Sequence, residues 1–293
     1  MSKLLKLFIL ALLIPSTFAQ GLKTELLEVD LGREFGFFSK SPAVLRAIAV
    51  SPSNTDTKEA ILFFVGWPGT LWLPEKFDPQ KFLELSKNSK FFMFRDINFF
   101  ASKDISLVIV DCPTDQWGGG RAVNPTGCGD SYRSSQTHAD DVRKLMAQLK
   151  VNQGIEKFYV MGHSYGSISS RWLSINLGKE IDGSIHSASI THKTAPHNPQ
   201  LQDFGSSLSR MDATKAASPY VFVHNQQDQC KDTQYPVIQQ LAPDKLMTVK
   251  GGIAEGDPCG GGHLHSYQGR WPEVLASVYK WIKSREITPV IGD

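Results

Sequence analysis

Residues 157–167 read Lys-Phe-Tyr-Val-Met-Gly-His-Ser-Tyr-Gly-Ser, and this stretch decides the fold of the chain. The apolar run that opens it predicts a buried β-strand. The next residues, Gly162-His163-Ser164-Tyr165-Gly166, match the pattern G-x-S-x-G. Apolar residues then recur at helical spacing; they are Ile168, Trp172 and Ile175. The sequence therefore predicts a strand, a tight turn and a helix, which is the structural context that this motif requires.

The two glycines of the motif are explained by the turn itself. A serine at the tip of a sharp strand-to-helix turn has a strained backbone, and side chains two residues before and after it would crowd the turn. Gly162 and Gly166 meet that need. The following helix directs its N-terminal N–H groups and the positive end of its dipole at Ser164, which favours a negative oxygen beside that residue.

The stretch resembles the nucleophile elbow of the α/β-hydrolase superfamily, with Ser164 as the nucleophile. The resemblance implies an acid and a histidine later in the chain, in the order Ser, Asp, His. It also implies an oxyanion hole built from two backbone N–H groups, those of Tyr165 and of a residue in the loop after an early strand. By similarity to the H-G-x-P pattern of many members, the second donor would be Trp67. The chain departs from that pattern, because Val65 stands where histidine is common.

The acid is expected just after the apolar run 220–224, in the stretch Asn-Gln-Gln-Asp-Gln-Cys of residues 225–230. Asp228 is the first candidate, and Asp232 is the alternative because loops shift by a few residues. The acid of such a site fixes the tautomer of the histidine and stabilises its protonated form.

The base is expected in a loop before the last helix, where a run of glycines precedes two histidines, His263 and His265. His265 opens a His-Ser-Tyr stretch similar to the one that opens the last loop of many members, and we favour it; His263 remains the alternative base. Two histidines two positions apart can also share a metal ion. No supporting motif such as H-E-x-x-H accompanies them, so we expect neither a metal nor another cofactor.

Alternating strand and helix patterns predict an α/β fold with a doubly wound, mostly parallel sheet. Apolar runs predict buried strands at 60–65, 105–110, 184–190, 220–224 and 245–249, and amphipathic patterns predict helices at 78–92, 135–149 and 271–285. Residues 43–50 also read as a strand, and the polar stretch after them suggests a hairpin. Residues 191–218 show no periodicity and leave room for a small cap at most.

The N-terminus has the pattern of a secretory signal peptide. Lys3 and Lys6 precede an apolar run, and small residues follow up to Ala19, after which we expect cleavage. The domain prediction is therefore a signal peptide at 1–19 and a single α/β-hydrolase domain at 20–293, in an exported protein that is periplasmic or secreted. Removing two lysines lowers the formal net charge from +2 to 2 − 2 = 0. A neutral chain gives no electrostatic reason to expect a nucleic-acid partner, and no later run is long enough to span a membrane.

The chain has 4 cysteines, Cys112, Cys128, Cys230 and Cys259. An even number in an exported chain indicates disulfides, and proximity in the sequence favours Cys112–Cys128 and Cys230–Cys259 among the possible pairings. The second pair would tie the loop of the acid to the loop of the base.

These features together predict a serine hydrolase that acts on carboxylic esters through an acyl-enzyme. Four aromatic residues, Trp67, Trp72, Trp117 and Tyr165, are candidates for an apolar acyl pocket, although they can equally be core residues. The alternatives are a serine peptidase or amidase on the same fold, and a non-catalytic binding protein that keeps the fold. The expected partner is a small-molecule ester or amide, and the sequence does not indicate an oligomeric state.

Overall fold

A computed structural model describes residues 21–53, 57–86, 89–117, 128–191 and 215–293. These residues form one nine-stranded sheet. Its strands are β1 Leu22–Phe35, β2 Ser41–Pro52, β3 Glu59–Phe64, β4 Ile105–Val110, β5 Lys157–His163, β6 Gly183–Ser187, β7 Tyr220–Asn225, β8 Leu246–Val249 and β9 Val290–Ile291.

The strands lie in the order β1-β2-β4-β3-β5-β6-β7-β8-β9. From β4 to β9 every neighbouring pair is parallel, whereas β1–β2 and β2–β4 are antiparallel. Parallel neighbours need crossover connections, and helices on both faces provide them. The predicted doubly wound, mostly parallel sheet is confirmed.

Helices cover both faces of the sheet. They are α1 Pro79–Ser86, α2 Phe92–Arg95, α3 Asp130–Arg133, α4 Gln136–Gln153, α5 Ser167–Asn176, α6 Tyr235–Leu241 and α7 Trp271–Ser284. On one face, residues of α7 such as Val278 pack against Ile61 and Phe63 of β3. On the other face, residues of α4 such as Leu145 pack against Leu62. Because neighbouring residues of β3 enter different cores, a central strand must be apolar at nearly every position.

The hairpin at the start of the chain differs from its prediction. The segment 43–50 does form a strand. However, β2 forms its hairpin with β1, which precedes it in the chain, and not with the residues that follow it. The outer strand β1 alternates between exposed and buried positions and carries charges along its length. Its pairing depends on β2, so no local pattern in the sequence indicates this strand by itself.

Two further boundaries differ. The strand predicted at 184–190 ends at Ser187, because the next residue, Ala188, has a φ of 39° and leaves the extended conformation. The helix predicted at 78–92 is α1, which ends at Ser86.

Some predictions lie outside the described residues. These are the signal peptide at 1–19 and most of the possible cap within 191–218. Among the described residues, no helix is both long enough and apolar enough to cross a membrane.

Candidate active site

Ser164 lies at the tip of the turn between β5 and α5. The strand ends at His163, a single 3-10 turn covers Ser164–Gly166, and the helix begins at Ser167. The φ of Ser164 is 53°, in the left-handed region that non-glycine residues rarely adopt. The strained serine expected from the motif is therefore present, and the strand and helix hold it there.

The glycines of the motif are required by close backbone contacts. A Cβ atom on Gly162 would lie 2.1 Å from the carbonyl oxygen of Gly166. A Cβ atom on Gly166 would lie 2.0 Å from the carbonyl oxygen of Phe64, the last residue of β3. Neither position accepts any side chain, so the turn packs directly on itself and on the neighbouring strand.

Asp228 and His265 meet beyond the carboxyl ends of the strands. Asp228 follows β7, and His265 lies between β8 and α7. Oδ2 of Asp228 is 2.9 Å from Nδ1 of His265, and both side chains are almost completely buried. A carboxylate accepting from Nδ1–H leaves Nε2 as the acceptor of the neutral imidazole.

The Asp228 carboxylate is held by further donors. Its Oδ1 accepts the N–H of Cys230 at 2.9 Å, and its Oδ2 accepts the hydroxyl of Thr233 at 2.9 Å. Burial by itself would raise the pKa of Asp228, but the opposing effects of His265 and His224 are together larger. The pKa of Asp228 therefore lies well below its usual value, and the carboxylate stays ionised at neutral pH.

The alternative residues occupy other positions. Asp232 makes no hydrogen bond with His265, whose side-chain partners are Asp228 and Thr233. The carbonyl oxygen of Asp232 accepts the N–H of Thr191, and its side chain lines the pocket described next. His263 is buried and does not line that pocket. The geometry thus joins Asp228 to His265 and leaves Asp232 and His263 apart.

A pocket of about 610 Å³ opens at this edge of the sheet. Ser164 and His265 both line it. Nε2 of His265 is buried and has no hydrogen-bond partner among the described residues. The one ring nitrogen that can act as a base therefore has no partner among the described residues, and the residue that carries it lines the same pocket as the serine.

Apolar and aromatic side chains form one wall of this pocket; they are Val65, Trp67, Leu71, Phe91, Phe94, Tyr165 and Ile190. Two of the four aromatic candidates, Trp67 and Tyr165, therefore line it. Trp72 and Trp117 do not. Trp117 packs instead beside the Cys112–Cys128 disulfide, and its indole N–H donates to the carbonyl oxygen of Cys112.

The backbone at Gly66 and Trp67 lies against the serine. A Cβ atom on Gly66 would be 3.3 Å from Cβ of Ser164. The N–H of Gly69 donates to the carbonyl oxygen of Gly66 at 2.8 Å and closes the turn. The N–H of Trp67 makes no hydrogen bond within the described part of the chain. Trp67 thus offers a backbone N–H with no partner among the described residues, in the turn that lies against Ser164, and Tyr165 follows Ser164 within the 3-10 turn.

Arg133 holds this turn by hydrogen bonds, and it is not among the residues predicted from the sequence to belong to the site. Its buried guanidinium donates to the carbonyl oxygens of Cys128 at 2.8 Å and Gly69 at 2.9 Å, and to the hydroxyl of Ser169 at 2.6 Å. It also lies 4.6 Å from the centre of the Tyr165 ring. One side chain therefore connects the Gly66–Gly69 turn to the elbow helix. No local pattern around Arg133 could have revealed this role.

Asp111 holds the segment that follows the same turn. Its buried carboxylate accepts the N–H groups of Leu71 at 2.6 Å and Leu73 at 2.7 Å, and the hydroxyl of Thr70 at 2.7 Å. Burial raises the pKa of Asp111, and these donors counteract the effect. The loop carrying Trp67 is thus fixed by Arg133 at one point and by Asp111 at the next.

His163, the residue before the serine, belongs to a buried polar network. Its Nδ1 lies 2.9 Å from the hydroxyl of Ser187, which lies 2.8 Å from the hydroxyl of Tyr267. The Tyr267 hydroxyl donates to the carbonyl oxygen of Val223. Burial lowers the pKa of His163 well below its usual value, and nearby His265 lowers it further. His163 is therefore neutral and structural, and it links the elbow to the loop of the base.

The structure contains the disulfides Cys112–Cys128 and Cys230–Cys259. Ligand atoms of Cys230, Cys259 and Asp232 lie within 4.8 Å of one another, a spacing that can hold a metal ion. Cysteine binds zinc as a thiolate. Cys230 and Cys259 are joined in a disulfide, so neither sulfur is a thiolate. The two disulfides are consistent with an oxidising compartment.

No protein-family model matches the chain, and no curated protein matches its sequence. Solved structures do match. An esterase from Pyrococcus furiosus aligns at a TM-score of 0.54 with 12% identity, over 89% of this chain and 92% of that chain. A serine hydrolase without a lid from Xanthomonas campestris aligns at a TM-score of 0.51 with 10% identity, over 89% of this chain and 94% of that one.

A cold-adapted esterase from an Arctic intertidal metagenomic library also aligns, at a TM-score of 0.51 with 14% identity, over 89% of this chain and 93% of that one. At these identities the comparisons establish the architecture. The chain has the α/β-hydrolase fold, as the elbow stretch implied.

Proposed function

We propose that this protein is a serine hydrolase that cleaves carboxylic esters with Ser164 as nucleophile, His265 as base and Asp228 as the acid that orients the base. One observation carries the proposal. His265 is hydrogen-bonded to Asp228 through Nδ1, its Nε2 is buried and without a partner among the described residues, and His265 and Ser164 line the same pocket. The order Ser, Asp, His along the chain agrees with the fold.

The first half of the reaction forms an acyl-enzyme. Nε2 of His265 takes the proton of the Ser164 hydroxyl as the oxygen attacks the ester carbonyl. The carbonyl π electrons move onto its oxygen and give a tetrahedral oxyanion. When this intermediate collapses, the bond to the alcohol breaks, and the protonated His265 gives its proton to the leaving alkoxide. Asp228 stays ionised throughout and stabilises the imidazolium.

The second half regenerates the serine. His265 takes a proton from water, and the hydroxide attacks the acyl carbon. Collapse of the second oxyanion expels the Ser164 oxygen, which recovers its proton from His265. The net reaction adds one water to the ester and gives an acid and an alcohol.

The backbone N–H groups of Trp67 and Tyr165 would hold both oxyanions. Removing one such donor in related chemistry costs about 3–4 kcal/mol of transition-state stabilisation. Support comes from the Gly66–Gly69 turn, which lies against Ser164 and is held by Arg133 and Asp111. The rigid support matters because preorganised donors need no reorganisation when charge develops.

The aromatic wall of the pocket favours an ester with an apolar or aromatic acyl group. Phe91 and Phe94 line the pocket with ring centroids 5.3 Å apart, and the ring centroids of Trp67 and Tyr165, which also line it, are 6.2 Å apart. An acyl group of this kind would bury apolar surface against these rings. The esterases and serine hydrolase among the structural neighbours are compatible with this substrate class.

The test is turnover of matched p-nitrophenyl esters and p-nitroanilides by the wild type and by S164A, H265A and H263A. We expect ester cleavage by the wild type, a loss of at least 10³-fold in kcat for S164A and H265A, and near wild-type kcat for H263A. Appreciable cleavage of the anilides beside the esters, lost in S164A, would favour a peptidase or amidase. No turnover and no covalent labelling of the folded wild type would favour a binding protein.

The predicted export adds a role for Cys230–Cys259. Cys230 follows Asp228 by two residues, its N–H donates to the Asp228 carboxylate, and Cys259 lies in the loop that leads to His265. In an oxidising compartment this disulfide would hold the acid loop and the base loop together.

A further inference from the structure

The β1–β2 hairpin extends past the edge of the sheet where the candidate site lies. In the antiparallel pairing of β2 with β4, Ala47 lies opposite Val110, the last residue of β4. The earlier residues of β2 therefore continue beyond the carboxyl end of β4. All the parallel strands end at this same edge, including β5, which leads into Ser164. The tip of the hairpin, residues 36–40, therefore lies beyond the same edge of the sheet as the pocket, the edge formed by the carboxyl ends of the parallel strands.

Ion pairs fix the β1–β2 hairpin to the rest of the domain. Nε of Arg33 lies 2.8 Å from a carboxylate oxygen of Asp115, and its terminal nitrogens lie 2.5 and 2.7 Å from those of Asp141. The ammonium group of Lys144 also donates to the carbonyl oxygen of Leu31. Asp115 follows β4 and Asp141 belongs to α4, so the hairpin is joined to the rest of the domain.

The tip displays two phenylalanines to solvent. Phe37 is 89% exposed and Phe38 is 97% exposed. Their rings pack edge to face with centroids 4.9 Å apart. Trp67, on the rim of the pocket, is 45% exposed. Among the Phe and Trp side chains whose burial is described, Phe37, Phe38 and Trp67 are the exposed ones. All three lie at the edge of the sheet that carries Ser164.

We propose that the hairpin tip, residues 36–40, inserts Phe37 and Phe38 into a lipid–water interface, so that the mouth of the pocket faces esters in an aggregated or membrane phase. The binding step stands on the geometry of the tip; its benefit to turnover rests on the proposed function.

The area of the tip favours lipid over a protein partner. One buried aromatic side chain covers about 150–250 Å², so two supply roughly 500 Å² at most. A stable protein interface requires about 800 Å² from each partner. Insertion into the boundary between headgroups and acyl chains needs no matching surface, and Phe and Trp side chains are suited to that depth. The flanking charges, Glu34 and Lys40, have opposite signs, so binding requires no anionic lipid.

The test is co-flotation of the purified protein with vesicles of zwitterionic phosphatidylcholine. The proteins compared are S164A, S164A with F37S/F38S, and S164A with V151S. The S164A background separates binding from turnover. Val151 is the matched control, because it is 83% exposed and lies near the end of α4, which leads to the start of β5 at the opposite edge of the sheet. Intact mass must first show that residues 1–19 are absent, since that apolar segment would itself bind lipid.

We expect S164A and its V151S form to float with the vesicles, the F37S/F38S form to lose at least tenfold in partition coefficient, and 0.5 M salt to change binding little. In the active background, F37S/F38S should turn over a soluble short-chain ester at the wild-type rate and an emulsified ester more slowly. Equal binding of S164A and of S164A with F37S/F38S, or no binding by S164A, would overturn the proposal. So would a dimer in solution that F37S/F38S converts to a monomer in the absence of lipid binding.

Discussion

Oδ2 of Asp228 lies 2.9 Å from Nδ1 of His265, although the two residues are 37 positions apart in the chain. The contact forms where the loops after β7 and β8 meet beyond the carboxyl ends of the parallel strands, the usual place for sites in open α/β sheets. The Cys230–Cys259 disulfide joins the same two loops. The contact between Asp228 and His265 is therefore held by the strand order and by a covalent link.

Replacing Asp228 by Asn should lower kcat by about 10⁴-fold with little change in KM. The amide removes the charge and lets His265 adopt the wrong tautomer, as it does in comparable sites. D232N is the control: it should stay within tenfold of the wild type in kcat, because Asp232 makes no hydrogen bond with His265. Steady-state ester kinetics check both. A larger loss of kcat in D232N than in D228N would move the role of the acid to Asp232.

Replacing Arg133 by Lys should lower kcat by about 10–100-fold and leave KM within threefold. Lysine keeps the charge but cannot replace the planar fork that reaches Cys128, Gly69 and Ser169 together. A shift of the Gly66–Gly69 turn would misplace an oxyanion donor, which affects the transition state more than the bound substrate.

The control for Arg133 is R285K. Arg285 also donates to backbone carbonyl oxygens, including that of Asp182, but it lies where β6 begins, at the opposite edge of the sheet. R285K should change the unfolding temperature and not kcat. If R133K lost only stability, with unchanged kcat for the folded protein, Arg133 would be a core residue without a positioning role.

Replacing Cys230 and Cys259 together by Ser should lower both stability and kcat. The disulfide closes a loop with a sequence separation of 29, so chain entropy predicts a loss of about 3–4 kcal/mol in the free energy of unfolding. A lower kcat should persist at temperatures where the variant is folded, because the acid loop is less firmly held against the base loop. Unfolding curves and kinetics on one sample separate the effects. A folded variant with wild-type kcat would limit the disulfide to stability.

Replacing His138 by Phe should weaken the loss of stability in acid. Burial, reinforced by the charge of Arg133, lowers the pKa of His138 from 6.5 to about 3, and its ring packs between Phe64 and Tyr132. Below pH 6.5 the unfolded chain binds a proton at this position that the folded chain does not, so stability falls as pH falls. Between pH 7 and pH 5 this contribution is about 2 kcal/mol.

Urea unfolding at pH 7 and pH 5 provides the measurement for H138F. The variant should lose about 2 kcal/mol less than the wild type across this range, whatever fixed cost the larger ring adds. His163 and His186 are also buried with lowered pKa values and act in the same direction, so some acid sensitivity remains. An unchanged difference between the two pH values would show that His138 is protonated in the folded protein.

The elbow and the parallel strands could be predicted because their causes are local. Gly162 and Gly166 are required by contacts that the turn itself creates, and a central strand such as β4 is buried at every position. These constraints leave patterns within a few residues of sequence. Asp228 and His265 could be named as candidates because the order of the motif restricts each of them to one loop.

Other features depend on residues far apart in the sequence. The partners of Arg133 include Ser169 and Gly69, which lie 36 and 64 positions away, and no pattern near Arg133 indicates them. The first strand, β1, is a partly exposed edge strand that forms by pairing with β2. For the same reason, the sequence favours His265 over His263 only by its resemblance to other family members, because the two residues share one glycine-rich loop and differ in what surrounds them after folding.

The central claim, that Ser164 is an activated nucleophile, is tested most directly by fluorophosphonate labelling followed by intact mass and peptide mapping. We expect one adduct per folded wild-type chain, located on Ser164, and no adduct on S164A. S284A, which removes an exposed serine at the end of α7, should label as the wild type does. A folded wild type that takes no label, or an S164A protein that still takes it, would contradict the account.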